Sequence, residues 1–136
     1  MLIGFGASPY SVKERRLVNR NELDRVCPDK PVFMVKYDGH ACVVNTKLYE
    51  QVKDKVSGLR GCHVDTGEMN QEAFFAISDY VTNSISVPQL LKNMQKAIDY
   101  MASKGIGMIH TVSGVGFVRD LDVDLERWFG RGLNNG

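Results

Sequence analysis

Nowhere in these 136 residues is there a run of about 20 apolar residues, the length a membrane-spanning helix needs, so no membrane partner is expected. The opening Met1-Leu2-Ile3-Gly4-Phe5 lacks the basic start and long apolar region of a signal peptide, and a cytoplasmic location is the expectation. Excess charge of either sign is also missing. Lys and Arg total 17 against 16 Asp and Glu, a formal net charge of +1, which gives nucleic acid or an anionic surface nothing to bind. The one basic knot, Lys13-Glu14-Arg15-Arg16, reads as a solvated face. The three cysteines, Cys27, Cys42 and Cys62, form neither a CxxC pair nor an even-numbered framework, so reduced thiols are expected rather than disulfides. His-x-His, HExxH and zinc-like Cys/His spacings are absent. Cys62-His63 is an adjacent pair, and neighbours on a strand point to opposite faces, which argues against a shared metal. Gly4-Phe5-Gly6-Ala7-Ser8-Pro9 fails the dinucleotide-binding fingerprint at its third glycine. Internal repeats and low-complexity segments are lacking.

What is present is an ordinary globular composition, 43% hydrophobic and 24% charged, in a length that fits one domain over 1–136. Residues 2–5 read as a short strand ending at Gly6, and 8–20 as a polar loop. Asn21 reads as the cap of a helical turn over 22–26, halted by Pro28. A β-favouring run follows over 32–37. Thr46 is then placed to cap a helix over 47–56, where Leu48, Val52 and Val56 recur at four-residue spacing before Ser57-Gly58. Residues 59–68 suggest two short extended pieces around a turn at Asp65-Thr66-Gly67. Asn70 reads as the cap of a helix through Val81, with Ala73, Phe74, Ile77, Tyr80 and Val81 at helical spacing. Ser86-Val87-Pro88-Gln89 has the pattern of a capping box with proline in the first turn. The apolar face of Leu90, Leu91, Met94, Ala97, Ile98 and Met101 follows it, closed by Gly105. Residues 106–112 read as a second buried strand, 113–116 as a flexible loop, 119–129 as a final helix and 130–136 as a fraying end.

The stretch 31–46, PVFMVKYDGHACVVNT, organises the rest. Its strand delivers an acid, a glycine and an imidazole, Asp38-Gly39-His40, to its C-terminal end, where α/β enzymes build sites. His40 there can hydrogen-bond a substrate carbonyl or carboxylate while Asp38 fixes its ring. Equally, Asp38 and His40 can lock the turn through backbone hydrogen bonds. Asn45 suits entry to the following helix or the fixing of a loop, ahead of substrate contact. His110, late in its run, is a core histidine or a site residue. Cys42 lies two residues from His40, but nothing suggests the lowered thiol pKa a nucleophile needs, and a cysteine hydrolase built on this pair is an outlying alternative. No residue is assigned a catalytic role, and no metal site is expected within the chain.

Taken with Glu22-Leu23-Asp24-Arg25-Val26-Cys27-Pro28-Asp29-Lys30 before it, this stretch resembles the amidohydrolase-3 (YtcJ-like) family of metal-dependent amidohydrolases. Their corresponding segment runs LDxVxPDxPVxLxxxDGHxxxVN. Leu23, Asp24, Pro28, Asp29, Pro31, Val32, Asp38, Gly39, His40, Val44 and Asn45 match it. Gly105, Ile106 and His110 match more loosely a later family strand, although Thr111 stands where an Asp is usual. The resemblance implies a (β/α)8 barrel, which needs about 250 residues. The expectation is therefore an internal α/β piece: a partial barrel of few strands and helices with a small hairpin insertion. It implies further that the full-length parent is a hydrolase of C–N bonds in small amides or related compounds. The parent would hold a divalent metal such as zinc on ligands outside this chain, and the chain alone would be inactive. Asp38, His40, Asn45 and His110 become substrate-lining candidates. The competing reading is a non-catalytic binding or assembly module derived from the same fold. Open sheet edges make a homo-oligomer the expected state.

Overall fold

A computed structural model describes residues 1–110 together with 123, 124 and 127. The chain divides into two compact units, Met1–Ser78 and Asp79–Gly136. The architecture is mixed α/β, as expected, with a five-stranded sheet and four helices among the described residues.

The first unit is built on the sheet. Strand β1 (Leu2–Ala7) pairs in parallel with β2 (Val32–Lys36), Leu2 opposite Val32 and Phe5 opposite Val35. β2 turns back into β3 (Ala41–Val44) as an antiparallel hairpin, Phe33 opposite Val44 and Val35 opposite Cys42. Two short strands, β4 (Cys62–His63) and β5 (Glu68–Asn70), make the second hairpin, read in the sequence as extended pieces around Asp65-Thr66-Gly67. β5 docks antiparallel on β3, giving the order β1-β2-β3-β5-β4. The β1–β2 pair is thus the parallel element in an otherwise antiparallel sheet.

Strand alternation divides the core between two faces. On one face Val32 and Val43 are buried with Leu23 of helix α1 (Arg20–Val26), and Leu17, Val18 and Cys27 close the cluster. The opposite face carries Phe33, Val35, Cys42, Val44 and Met69, all buried. Helix α2 (Thr46–Val56) packs on β2 and β3 and buries Leu48, Val52 and Val56, the stripe the sequence shows. Helix α3 (Gln71–Asn83) buries Ala73, Phe74, Ile77 and Val81, while Tyr80 is half-buried.

The starts of α1 and α2 differ from the sequence reading by two residues and by one. Asn19, not Asn21, caps α1, because it stands three residues before Glu22. The Glu22 amide donates to Asn19 Oδ1 at 3.0 Å, and the Asn19 amide donates back to Glu22 Oε2 at 2.9 Å, a complete capping box. Arg16 forks onto the same carboxylate at 2.7 and 2.8 Å and, with the Asn19 amide, holds its pKa down to about 2. Asn45 rather than Thr46 caps α2. α3 begins at Gln71, directly after Asn70 as read, although Asn70 itself belongs to β5, and the Gln71 φ of +48° marks the abrupt strand-to-helix change.

In the second unit, helix α4 (Val87–Ser103) has Ser86 as its cap and Pro88 in its first turn, as read. The Gln89 amide donates to Ser86 Oγ at 3.4 Å. The Gln89 side chain does not return to close the box but donates to Asn93 at 2.8 Å. Leu90, Leu91, Met94, Ile98 and Met101 are half-buried, Ala97 is exposed, and no residue of α4 is fully buried.

The buried strand expected from residue 106 is not found over 106–110. Ile106 instead completes the end of α4: its amide donates to Met101 O at 3.1 Å and the Gly105 amide to Ala102 O at 2.9 Å, a Schellman closure. The segment is exposed, Met108 at 90%. The continuation to Val112, the loop 113–116 and the end 130–136 lie outside the described residues. So does most of the helix expected over 119–129, of which residues 123, 124 and 127 are helical.

Candidate functional site

β1 and β2 run in parallel and finish side by side, at Ala7 and Lys36, and the Tyr37 amide donates to Ala7 O at 2.9 Å. The turn that follows carries the Asp-Gly-His cluster. The Gly39 amide donates to Lys36 O at 3.0 Å, and Gly39 has a φ of +72°, the left-handed value such a reversal asks of its last residue. Both carboxylate oxygens of Asp38 are engaged. Oδ1 accepts the His40 amide at 3.2 Å, and Oδ2 takes Lys36 Nζ at 2.8 Å. The Lys36 hydrogen bond, first, and then the His40 amide lower the Asp38 pKa, and Asp38 in turn raises that of Lys36. Lys36 also lies 5.5 Å from the Tyr37 ring, and Tyr10 meets that ring edge-on at 6.1 Å. The imidazole of His40 projects from an exposed residue. Asp38 therefore holds the turn through the His40 backbone, while the His40 ring is left facing solvent at the end of the parallel pair. Lys36, Tyr10 and Tyr37 join this tip without having been singled out in the sequence. Lys36 could have been found there, since two residues along a strand return to the same side.

Asn45 sits at the opposite end of β3 from His40. It is fully buried, and its amide group is saturated. Oδ1 accepts the amides of Val32 and Leu48, both at 3.0 Å, and Nδ2 donates to Cys27 O at 3.1 Å and Lys30 O at 2.9 Å. One side chain thereby caps α2, starts β2 and fixes the Pro28-Asp29-Lys30 turn. Beside it, Asp24 on α1 accepts the Thr46 amide at 2.8 Å and the Thr46 hydroxyl at 2.6 Å. Much of the residue pattern over 23–45 thus builds a joint between α1, β2 and α2. An open cleft bordered by Asp24, Pro28, Thr46, Lys47 and Glu50 lies over this joint.

Cys42 is wholly buried, and desolvation, aided by the Glu68 charge, pushes its thiol far above the ordinary range. A thiolate there is disfavoured, and with it the Cys42–His40 hydrolase. The second hairpin forms a polar cleft lined by Cys62, His63, Asp65, Thr66 and Glu68. His63 stands opposite Glu68 and lies 3.4 Å from Asn70 Nδ2, and burial raises the Cys62 thiol pKa. His110 lies in the second unit, exposed and in no regular element.

A metal ion needs several converging donors, and among the described residues no three His, Cys, Asp or Glu side chains come together to supply them. Nor is any described helix long and apolar enough to cross a membrane.

No protein-family model matches the chain, and no curated protein does. Two solved structures resemble it in fold. One is an uncharacterized metal-dependent hydrolase from Pyrococcus horikoshii OT3, with 23% identity and a TM-score of 0.63 over 95% of this chain. The other is an uncharacterized metal-dependent hydrolase from Pyrococcus furiosus, with 22% identity and a TM-score of 0.60 over 93%. This chain spans about a quarter of each, 26% of its length. The likeness is one of fold, and it extends over nearly all of the chain.

Proposed function

We propose that this chain is a segment of a metal-dependent hydrolase of the amidohydrolase-3 type, acting on C–N bonds of small amides or related compounds. The observation that carries the reading is the fold likeness of 95% of the chain to a quarter of a metal-dependent hydrolase. The residue pattern from Leu23 to Asn45 supports the finer assignment to an amidohydrolase. The divalent metal, such as zinc, would belong to the intact protein, on ligands that the family resemblance places outside this chain; among the described residues no three candidate ligands come together. Among the described residues His40 and His110 are both exposed, and His40, at the end of the parallel pair, is the one placed to meet a substrate carbonyl or carboxylate. Asp38 is spent on the turn and Asn45 on the core. That consumption of motif residues by architecture favours a second reading, a non-catalytic module kept for binding or assembly.

The chain alone is expected to hydrolyse none of a panel of N-acyl amino acids and formamides, with zinc or manganese added. Chelator-sensitive turnover by the purified chain would overturn this. In the intact protein, His40→Ala should lower kcat/KM by about tenfold to a hundredfold, the range for a lost substrate or transition-state contact. Metal content by elemental analysis should stay unchanged. Loss of metal would make His40 a ligand, and unchanged turnover would favour the non-catalytic module.

A further inference from the structure

Among the described residues, the two edges of the sheet are unlike. β4 is two residues long, too short to template another strand. β1 is six residues long, LIGFGA, with no charge and no proline, and it leaves Leu2, Ile3 and Phe5 exposed at 46, 51 and 73%. Edges are ordinarily blunted by lysine, proline, bulges or shortness, and across 2–5 β1 carries none of these. The Leu2 amide donates to Pro31 O at 2.8 Å, so Leu2 and, by alternation, Gly4 turn their backbone groups toward β2. Ile3 and Phe5 then direct their N–H and C=O outward, with both side chains on one face. At Gly6 the φ of +94° and the register shift between Phe5 and Ala7 end the regular ladder.

We propose that this edge pairs antiparallel with the same edge of a second copy of the chain, about a twofold axis at Gly4. Ile3 of each copy then lies opposite Phe5 of the other. Each such couple exchanges both N–H···O bonds of a hydrogen-bonded antiparallel pair, so the outward groups of both residues are satisfied. The same register sets an aromatic ring against a β-branched side chain, a favourable cross-strand combination, on both sides of the axis. Gly4 of each copy faces its equivalent across the axis as a non-hydrogen-bonded pair. A second copy suits this edge because the order Ile3-Gly4-Phe5 is complementary to itself in reverse. The pairing stands independently of the hydrolase reading. A strand of six residues covers far less than the roughly 1,600 Å² of a standard interface, so the dimer is weak and reversible.

Sedimentation over a wide concentration series tests this, together with NMR on a mixture of ¹³C-labelled and unlabelled chain. The expected result is a concentration-dependent dimer with isotope-filtered contacts between the Ile3 methyls of one copy and the Phe5 ring of the other. Phe5→Lys should weaken association about tenfold or more by opposing charge and lost contact. Met108→Lys, at a still more exposed site elsewhere, should leave it unchanged. The cross-copy contacts are read in the unmodified chain, so they do not depend on any variant folding. A chain that stays monomeric, or a dimer whose cross-copy contacts lie away from β1 or that Phe5→Lys leaves intact, overturns the proposal.

Discussion

Asn45→Ala should lower the unfolding free energy by about 3 kcal/mol or more, and Asn45→Asp by more still at neutral pH. The alanine variant loses the cap of α2, about 1 kcal/mol by itself. It also strands the Val32 amide and the carbonyls of Cys27 and Lys30 in a region where Asn45 is wholly buried, and an unsatisfied buried group costs about 1–3 kcal/mol. Against a typical total stability of about 5–15 kcal/mol, that is a large share. Aspartate keeps the acceptor for Val32 and Leu48 but turns a carboxylate oxygen toward two carbonyl oxygens. The new carboxyl is therefore favoured in its protonated, donating form, so its pKa is raised in the folded state. A raised folded pKa means that stability is held at low pH and lost as pH rises through it, and the defect of Asn45→Asp should shrink on acidification. Urea titrations at several pH values measure both effects. A loss below about 1 kcal/mol for Asn45→Ala would mean that water or local rearrangement replaces the network.

Gly61→Ala is expected to cost about 2 kcal/mol or more. Gly61 has a φ of +83°, where a non-glycine residue is strained by about 1–2 kcal/mol. A Cβ built there would also run into the backbone carbonyl of Asn70, whose own amide donates to Gly61 O at 3.0 Å. Backbone cannot swing aside as a side-chain tip can, so the β4–β5 hairpin must distort. Gly39→Ala is the matched comparison: its φ is +72°, yet a Cβ there meets nothing within 4 Å. Only the conformational cost should appear, about 1 kcal/mol. Thermal melts of the two variants separate steric conflict from backbone strain, and equal losses would show that the contact with Asn70 does not matter.

Sequence spacing revealed most elements because their signals are local. Ser86 and Pro88 mark the start of α4, Leu48, Val52 and Val56 mark the buried side of α2, and Asp65-Thr66-Gly67 marks a reversal. Over 106–110 the run was misread because apolar residues show what a segment would gain by burial, not that they belong to a strand, and Gly105 and Ile106 close α4 instead. A helix-entry or loop-fixing role for Asn45 was legible, but the partners it joins were not. Its partners lie up to 18 residues away along the chain, and no periodicity records a hydrogen bond of that span. At the hairpin tip the sequence left two readings open for Asp38, a carboxylate orienting the His40 ring or a lock on the turn, and the structure shows the second: the carboxylate accepts the His40 amide and pairs with Lys36.

The burial of Cys42 gives the sheet its own chemical reporter. Cys27 and Cys62 are half-buried, whereas Cys42 lies between strands β2 and β5 with no exposed surface. An alkylating reagent added to the folded chain should therefore consume the first two thiols early. It should reach Cys42 only when β3 parts from its neighbours. When reclosing is faster than alkylation, the slow rate at Cys42 is the intrinsic thiol rate multiplied by the fraction of molecules open at that moment. Mass spectrometry resolving the three sites would then give the opening free energy of the central strand under native conditions, without denaturant and without altering a residue.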